Sequence, residues 1–229
     1  MTSPAPLVAF EAWAALAGDS PTSRTEWAAV IDAWSQPHRR YHDLAHLAAV
    51  LGVVGQLDGA AADPAAVRLA AWYHDVVYDP TRDDNEQVSA ERARAGLRGL
   101  VLDERVAEVE RLVLLTAGHD PAEGDGNGAV LCDADLAVLA GPPEAYVAYA
   151  SAVREEYGHV SDEDFTRGRI AVLESLLALP ALYRTPEAAG QWTATATANL
   201  TAELTLLRRR AVAGAGGPSS GGAPPSSAG

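Results

Sequence analysis

Apolar residues recur three or four apart along nearly the whole chain, with almost no alternating Val/Ile/Thr runs, and this confines the chain to helices. The spacing predicts helices over residues 7–17, 25–34, 43–57, 64–77, 85–100, 104–116, 131–139, 144–157, 162–179 and 186–209. Ser23-Arg24-Thr25-Glu26 has the capping-box pattern and would start the second of them. Gly, Pro and Asp clusters at 59–63, 79–84, 121–128 and 141–143 punctuate the pattern as connections. The expected fold is an all-α, single-domain bundle over residues 1–210, since 229 residues at 48% hydrophobic suffice for one buried core. From Ala211 the chain is mainly Gly, Ser, Pro and Ala, and residues 211–229 are expected to form a disordered tail.

Polar residues interrupt these helices at three places. His42 and His46 are four apart and share a helix face, a spacing that can chelate a metal but on its own equally describes a core histidine bonded to a carbonyl. His74-Asp75 ends the apolar stretch from Leu69 to Tyr73, where two hydrophilic groups need compensation. Asp133 and Asp135 flank Ala134 in a third apolar segment, and either one could cap a helix. Two imidazoles and two carboxylates converging from three helices would hold one divalent cation with an open coordination position, which is a catalytic arrangement.

Composition narrows the chemistry. All 17 basic residues are arginine, so the phosphate-loop lysine of nucleotide-binding motifs and the Schiff-base lysine of pyridoxal enzymes are both missing. A formal charge of −14 would repel a polynucleotide or an acidic membrane surface, while leaving room for a small phosphorylated molecule held by local arginines. The single Cys132 cannot form an intrachain disulfide and reads as a small buried hydrophobe. The start Met1-Thr2-Ser3-Pro4 lacks the basic segment of a signal peptide, and no apolar run approaches about 20 residues. The expected location is the cytoplasm, and the oligomeric state is left open. A GxSxG match at Gly217–Gly221 falls in the tail with no strand before it, and a calcium-loop start at Glu123 lacks its closing glutamate, Ala134 standing there.

His46, then His74-Asp75, then Asp135 resemble the H…HD…D signature of the HD-domain superfamily of metal-dependent phosphohydrolases. Arg40-Tyr41-His42, Asn85-Glu86 with Ser89-Ala90, Gly118-His119, Asp133-Ala134-Asp135-Leu136, Arg154-Glu155-Glu156-Tyr157 and Gly168-Arg169 are similar to a bacterial subgroup of predicted HD-superfamily hydrolases. The similarity spans roughly residues 30–204; it departs from the pattern where Thr197-Ala198, not the usual arginine, precedes Asn199-Leu200. The resemblance implies an HD-type bundle in which His46, His74, Asp75 and Asp135 ligate the metal, with Asp135 preferred over Asp133. It also implies that Asn85 and Glu86 lie near the open position, Glu86 handling protons.

His119 would protonate a leaving group or support a second metal, unless it serves only as a helix C-terminal cap. Arg40, His42, Arg154 and Arg169 would meet a phosphorylated substrate, and Arg39 beside Arg40 reads either as a phosphate binder or as an exposed basic run. Mixed N/O ligands suit Mn, Fe, Co, Ni or Zn better than Mg. The activity expected is hydrolysis of a small phosphate ester or anhydride, a nucleotide foremost. The alternatives are an HD-fold di-iron oxygenase and a non-enzymatic nucleotide sensor or scaffold with a structural metal.

Overall fold

The computed structural model describes residues 4–215, and among these the chain forms α-helices and two short 3-10 segments but no β-sheet. The helices are α1 (Pro4–Leu7), α2 (Phe10–Ala17), α3 (Pro21–Trp34), α4 (Leu44–Leu57), α5 (Pro64–Tyr73), α6 (Asn85–Leu97), α7 (Asp103–Leu115), α8 (Gly126–Asp135), α9 (Pro143–Glu156), α10 (Asp162–Ala178) and α11 (Pro186–Ala215). A central trio of α4, α5 and α8 packs mutually; α6 and α7 pair and cover α5, and α10 pairs with α11. The α11 helix also lies on the 3-10 segment Leu136–Ala140 that continues α8. None of the described helices is long and apolar enough to cross a membrane.

One apolar core unites the trio with its cover. Trp13, Trp34, Trp72, Tyr73, Leu47, Leu69, Leu97, Leu112 and Leu131 are fully buried in it. The indoles have polar outlets: Trp34 Nε1 donates to the Trp72 carbonyl at 2.9 Å, and Trp13 Nε1 donates to Ser23 Oγ at 2.9 Å. Asp43 caps α4 by accepting from the Ala45 and His46 amides, and Asp63 caps α5 through the Ala65 and Ala66 amides.

Local context moves several helix ends from their expected places. The α3 helix starts at Pro21, with Ser20 as its cap accepting from the Ser23 amide at 3.1 Å; the capping box expected at Ser23 does not form, because the Ser23 hydroxyl donates to Gly18 O. The α5 helix stops at Tyr73, freeing His74 and Asp75 from the regular helix. The first expected helix divides into α1 and α2. The α8 helix begins at Gly126, inside a segment expected to be loop: a Cβ at Gly126 would collide with the Ala60 carbonyl oxygen, so glycine there permits close approach of α8 to the 3-10 turn Asp58–Ala60. At the far end α11 continues to Ala215, and the remainder of the expected tail, residues 216–229, lies outside the described residues.

Candidate metal centre

Three helix ends meet at one point. His46 lies in the first turn of α4, His74 and Asp75 follow directly on α5, and Asp135 is the last residue of α8. His74 Nδ1 is 2.8 Å from the Ala71 carbonyl, which can only accept, so this nitrogen carries the proton and the lone pair of a neutral ring sits on Nε2. That Nε2 faces His46 Nε2 at 3.2 Å, Asp75 Oδ2 at 3.3 Å and Asp135 Oδ1 at 3.6 Å; His46 Nε2 lies 3.2 Å from Asp135 Oδ1. Ligand atoms about 2.1 Å from a single ion stand about 3.0 to 3.4 Å apart in cis-octahedral or tetrahedral geometry. The 3.2 and 3.3 Å contacts match that spacing and the 3.6 Å contact is slightly longer. His46, His74 and Asp75 each offer a ligand atom, all within 4.8 Å of one another, and these side chains are mostly or wholly buried.

The electrostatics reflect this crowding of acceptors. Burial alone would push His74 down, but the Asp75 and Asp135 carboxylates override it and raise it to about 9. Burial likewise lowers His46, only partly opposed by Asp135. Asp135 would be raised by burial, yet His74, His119 and His46 together hold it well below the usual carboxylate range. A proton shared by the imidazoles or a metal ion can each provide the positive charge this cluster calls for.

Around the cluster lies a layer of positioning contacts. His119 ends the α7 region in the left-handed conformation, φ +51°, with its amide donating to Leu115 O; its Nε2 is 2.8 Å from Asp135 Oδ2. It is thus both a helix C-terminal cap and a partner of the cluster. His42 turns Nε2 toward Asp75 Oδ2 at 4.0 Å and stacks on Tyr78 with ring centroids 4.0 Å apart. Tyr41 packs against His46, centroids 4.7 Å apart.

Glu156, to which the sequence reading gave no role, ties the His42 segment down. Its Oε1 accepts from the backbone amides of Arg40, Tyr41 and His42 at 2.8 to 2.9 Å, and its Oε2 lies 2.7 Å from His42 Nδ1 and accepts from Tyr78 Oη at 3.0 Å. Burial would raise its pKa, but His42 and the amides bring it down to about 2. A signal existed in the sequence: Tyr146, Val153 and Glu156 fall on one buried stripe of α9, and a carboxylate on such a stripe requires partners.

The remaining candidates occupy varied settings. Asp133 is fully buried and faces away from the cluster, accepting from the Arg184 amide and from the amide and hydroxyl of Thr185 at 2.7 to 2.8 Å, just before α11. Asn85 clamps the Asp79 backbone through both its amide atoms at 3.0 Å. Glu86 is half-buried in the first turn of α6, and no hydrogen bond or ion pair engages it among the described residues. Arg154 donates to the carbonyls of Tyr157 and Val160 and to Asp162. Arg169 is buried, with its guanidinium on both oxygens of Glu203 and on Tyr149 Oη. Arg40 keeps about half its side chain in solvent. Arg39, read as a phosphate binder or an exposed basic residue, is neither: it is buried and donates to the carbonyls of His42, Asp75 and Val76.

The geometry therefore describes an all-α domain with a buried His/His/Asp cluster able to coordinate a divalent metal. No family model matches the chain, and neither does any curated protein or solved structure.

Proposed function

We propose that this chain is a metal-dependent phosphohydrolase of the HD type, acting on a small phosphate ester or anhydride, with a nucleotide as the favoured class. The observation that carries the reading is the buried cluster of His46, His74 and Asp75, whose ligand atoms lie within 4.8 Å of one another, with Asp135 Oδ1 3.2 Å from His46 Nε2 and 3.6 Å from His74 Nε2 as the proposed fourth ligand. The mixed N/O donor set favours Mn, Fe, Co, Ni or Zn, and when bound the ion would acidify water and polarise a phosphoryl oxygen. His74 is held in ligating orientation by the Ala71 carbonyl, and Asp135 by His119, so two of the four side chains arrive already oriented.

Glu86 is the proposed proton-handling carboxylate, supported by its position in the first turn of α6 with no hydrogen-bond or ion-pair partner among the described residues. Arg40, whose side chain is about half exposed and bonds only backbone carbonyls at Pro37 and Arg39 besides a 3.9 Å approach to Glu155, is proposed to balance phosphate charge ahead of Arg154 and Arg169, which are paired with Asp162 and Glu203. The test is metal analysis of chelator-stripped and reloaded protein, followed by a phosphate-release screen over nucleotides and other small phosphates. Wild type is expected to bind one equivalent of metal and to release phosphate, and Asp75→Ala to lose both while keeping its helical circular dichroism. Full turnover by metal-stripped Asp75→Ala would overturn the reading.

A further inference from the structure

His42 sits beside the cluster with a nitrogen to spare. Its Nδ1 lies 2.7 Å from Glu156 Oε2, its ring stacks on Tyr78 at an interplanar angle of 26°, and its Nε2 makes no hydrogen bond among the described residues. Asp75 Oδ2 lies 4.0 Å from that nitrogen, too far for a direct bond and open to a bridging group. The His42 side chain is 20% exposed, so a small ligand can reach it.

The carboxylate opposite Nδ1 has no freedom to reverse roles. Glu156 Oε1 is used by three backbone amides and Oε2 by the ring and the Tyr78 hydroxyl, so an ionised Glu156 accepts at every contact. The proton must then reside on His42 Nδ1. A half-turn of the ring would put carbon in place of Nδ1 and forfeit the 2.7 Å contact. Pinning the loop at 40–42 needs only Oε1; the second oxygen fixes the state of the imidazole.

We propose that Glu156 is a positioning residue that holds His42 in its Nδ1-protonated tautomer, so that Nε2 presents a lone pair to a water or substrate hydroxyl beside Asp75. The inference rests on the metal-centre reading above for its setting and concerns only this chain's own groups. It names the ligand class for that space: a group that brings a hydrogen-bond donor, not a bare anion.

Glu156→Gln tests it with little change of shape. The three backbone amides require an oxygen at the Oε1 position, so the amide nitrogen must take the Oε2 position, where it donates to His42 and forces the proton to Nε2. The measurement is long-range 1H–15N correlation of 15N-histidine protein loaded with Zn2+, recorded on the alkaline side of imidazole titration, with His42 assigned from the His42→Gln spectrum. Wild type is expected to show a protonated Nδ1 and a bare Nε2, and Glu156→Gln the reverse, with unchanged zinc content. The variant's kcat should fall roughly 10- to 100-fold with KM little altered. A wild-type spectrum with the proton on Nε2 overturns the proposal, and that spectrum decides even if the variant does not fold. A reversed tautomer with wild-type kcat overturns it too. If wild type hydrolyses no phosphate at all, the spectra still judge Glu156, and the failure falls on the phosphohydrolase reading alone.

Discussion

Arg169→Met should act on stability and leave substrate affinity alone. The Arg169 guanidinium donates to both oxygens of Glu203, at 2.9 and 3.0 Å, and reaches Tyr149 Oη at 3.3 Å; the two charged side chains are 6% and 15% exposed. Glu203 also accepts from Tyr146 Oη, so this pair joins α9, α10 and α11. Removing one partner of such a buried pair strands the other, which costs about 3 to 5 kcal/mol. For a domain of this size each kcal/mol moves the melting temperature by about 2 to 4 °C, so the midpoint should fall by roughly 6 to 20 °C. Thermal unfolding followed by circular dichroism measures the shift, and phosphate release well below the transition measures KM. Adding Glu203→Leu to the variant should restore much of the loss, because no unpaired carboxylate remains. An unchanged midpoint with a KM raised roughly tenfold, about 1.4 kcal/mol of binding, would refute this reasoning and make Arg169 a substrate ligand after all.

Acid stability should carry the mark of Glu156. Its pKa is lowered in the folded chain from the ordinary 4.5 to about 2, so its contribution is full above 4.5 and disappears as pH falls through about 2; the drop corresponds to roughly 3 kcal/mol at most. Urea unfolding at successive pH values should show wild type losing up to that much more stability than Glu156→Gln across this window, and parallel curves for the two proteins would sink the idea. The two neighbouring aspartates should separate cleanly: Asp135→Ala loses metal, whereas Asp133→Ala keeps it but melts earlier, since the Arg184 and Thr185 donors are left buried without an acceptor at about 1 to 3 kcal/mol each. Metal content and melting temperature of both variants decide, and the opposite pattern would exchange their roles.

The helical fold was legible because the apolar period is set by what each helix buries, and burial dominates here. Leu47, Val50, Leu51 and Val54 are all core residues of α4, and their spacing alone identifies the face that carries His46. The position of helix ends was less legible, because end signals compete. Ser23 matched a capping box, but Pro21 and Ser20 offered an earlier start and Trp13 took the Ser23 hydroxyl as a buried acceptor. The cluster itself could be located to three segments, while the choice between Asp133 and Asp135 could not be made from spacing. Residues two apart on a helix point about 200° apart, so only one can face the cluster, and the helix's rotation is set by packing against α4 and α5. The α9 stripe could mark Glu156 as a buried carboxylate, but not its partners at residues 40–42, which are more than 110 positions away in the chain.

The side chains that shape the site are mostly not the ones that form it. His42, Asp75 and the loop that follows lie outside regular helix, and irregular backbone near a core leaves amides and carbonyls that water cannot serve. Each such segment is answered by a polar side chain from elsewhere: Glu156 for the amides of 40–42, Arg39 for the carbonyls of His42, Asp75 and Val76, Asn85 for Asp79, and Asp133 for Arg184 and Thr185. Three of these four are ionisable side chains, and charge-assisted bonds are the stronger kind, so these irregular segments are anchored by more than their own backbone. This explains how His42 and Asp75 can be fixed in place without lying in a helix. It also explains why removing the Arg39 guanidinium can be as consequential as replacing a cluster residue: its loss would free the backbone at His42, Asp75 and Val76, beside the cluster.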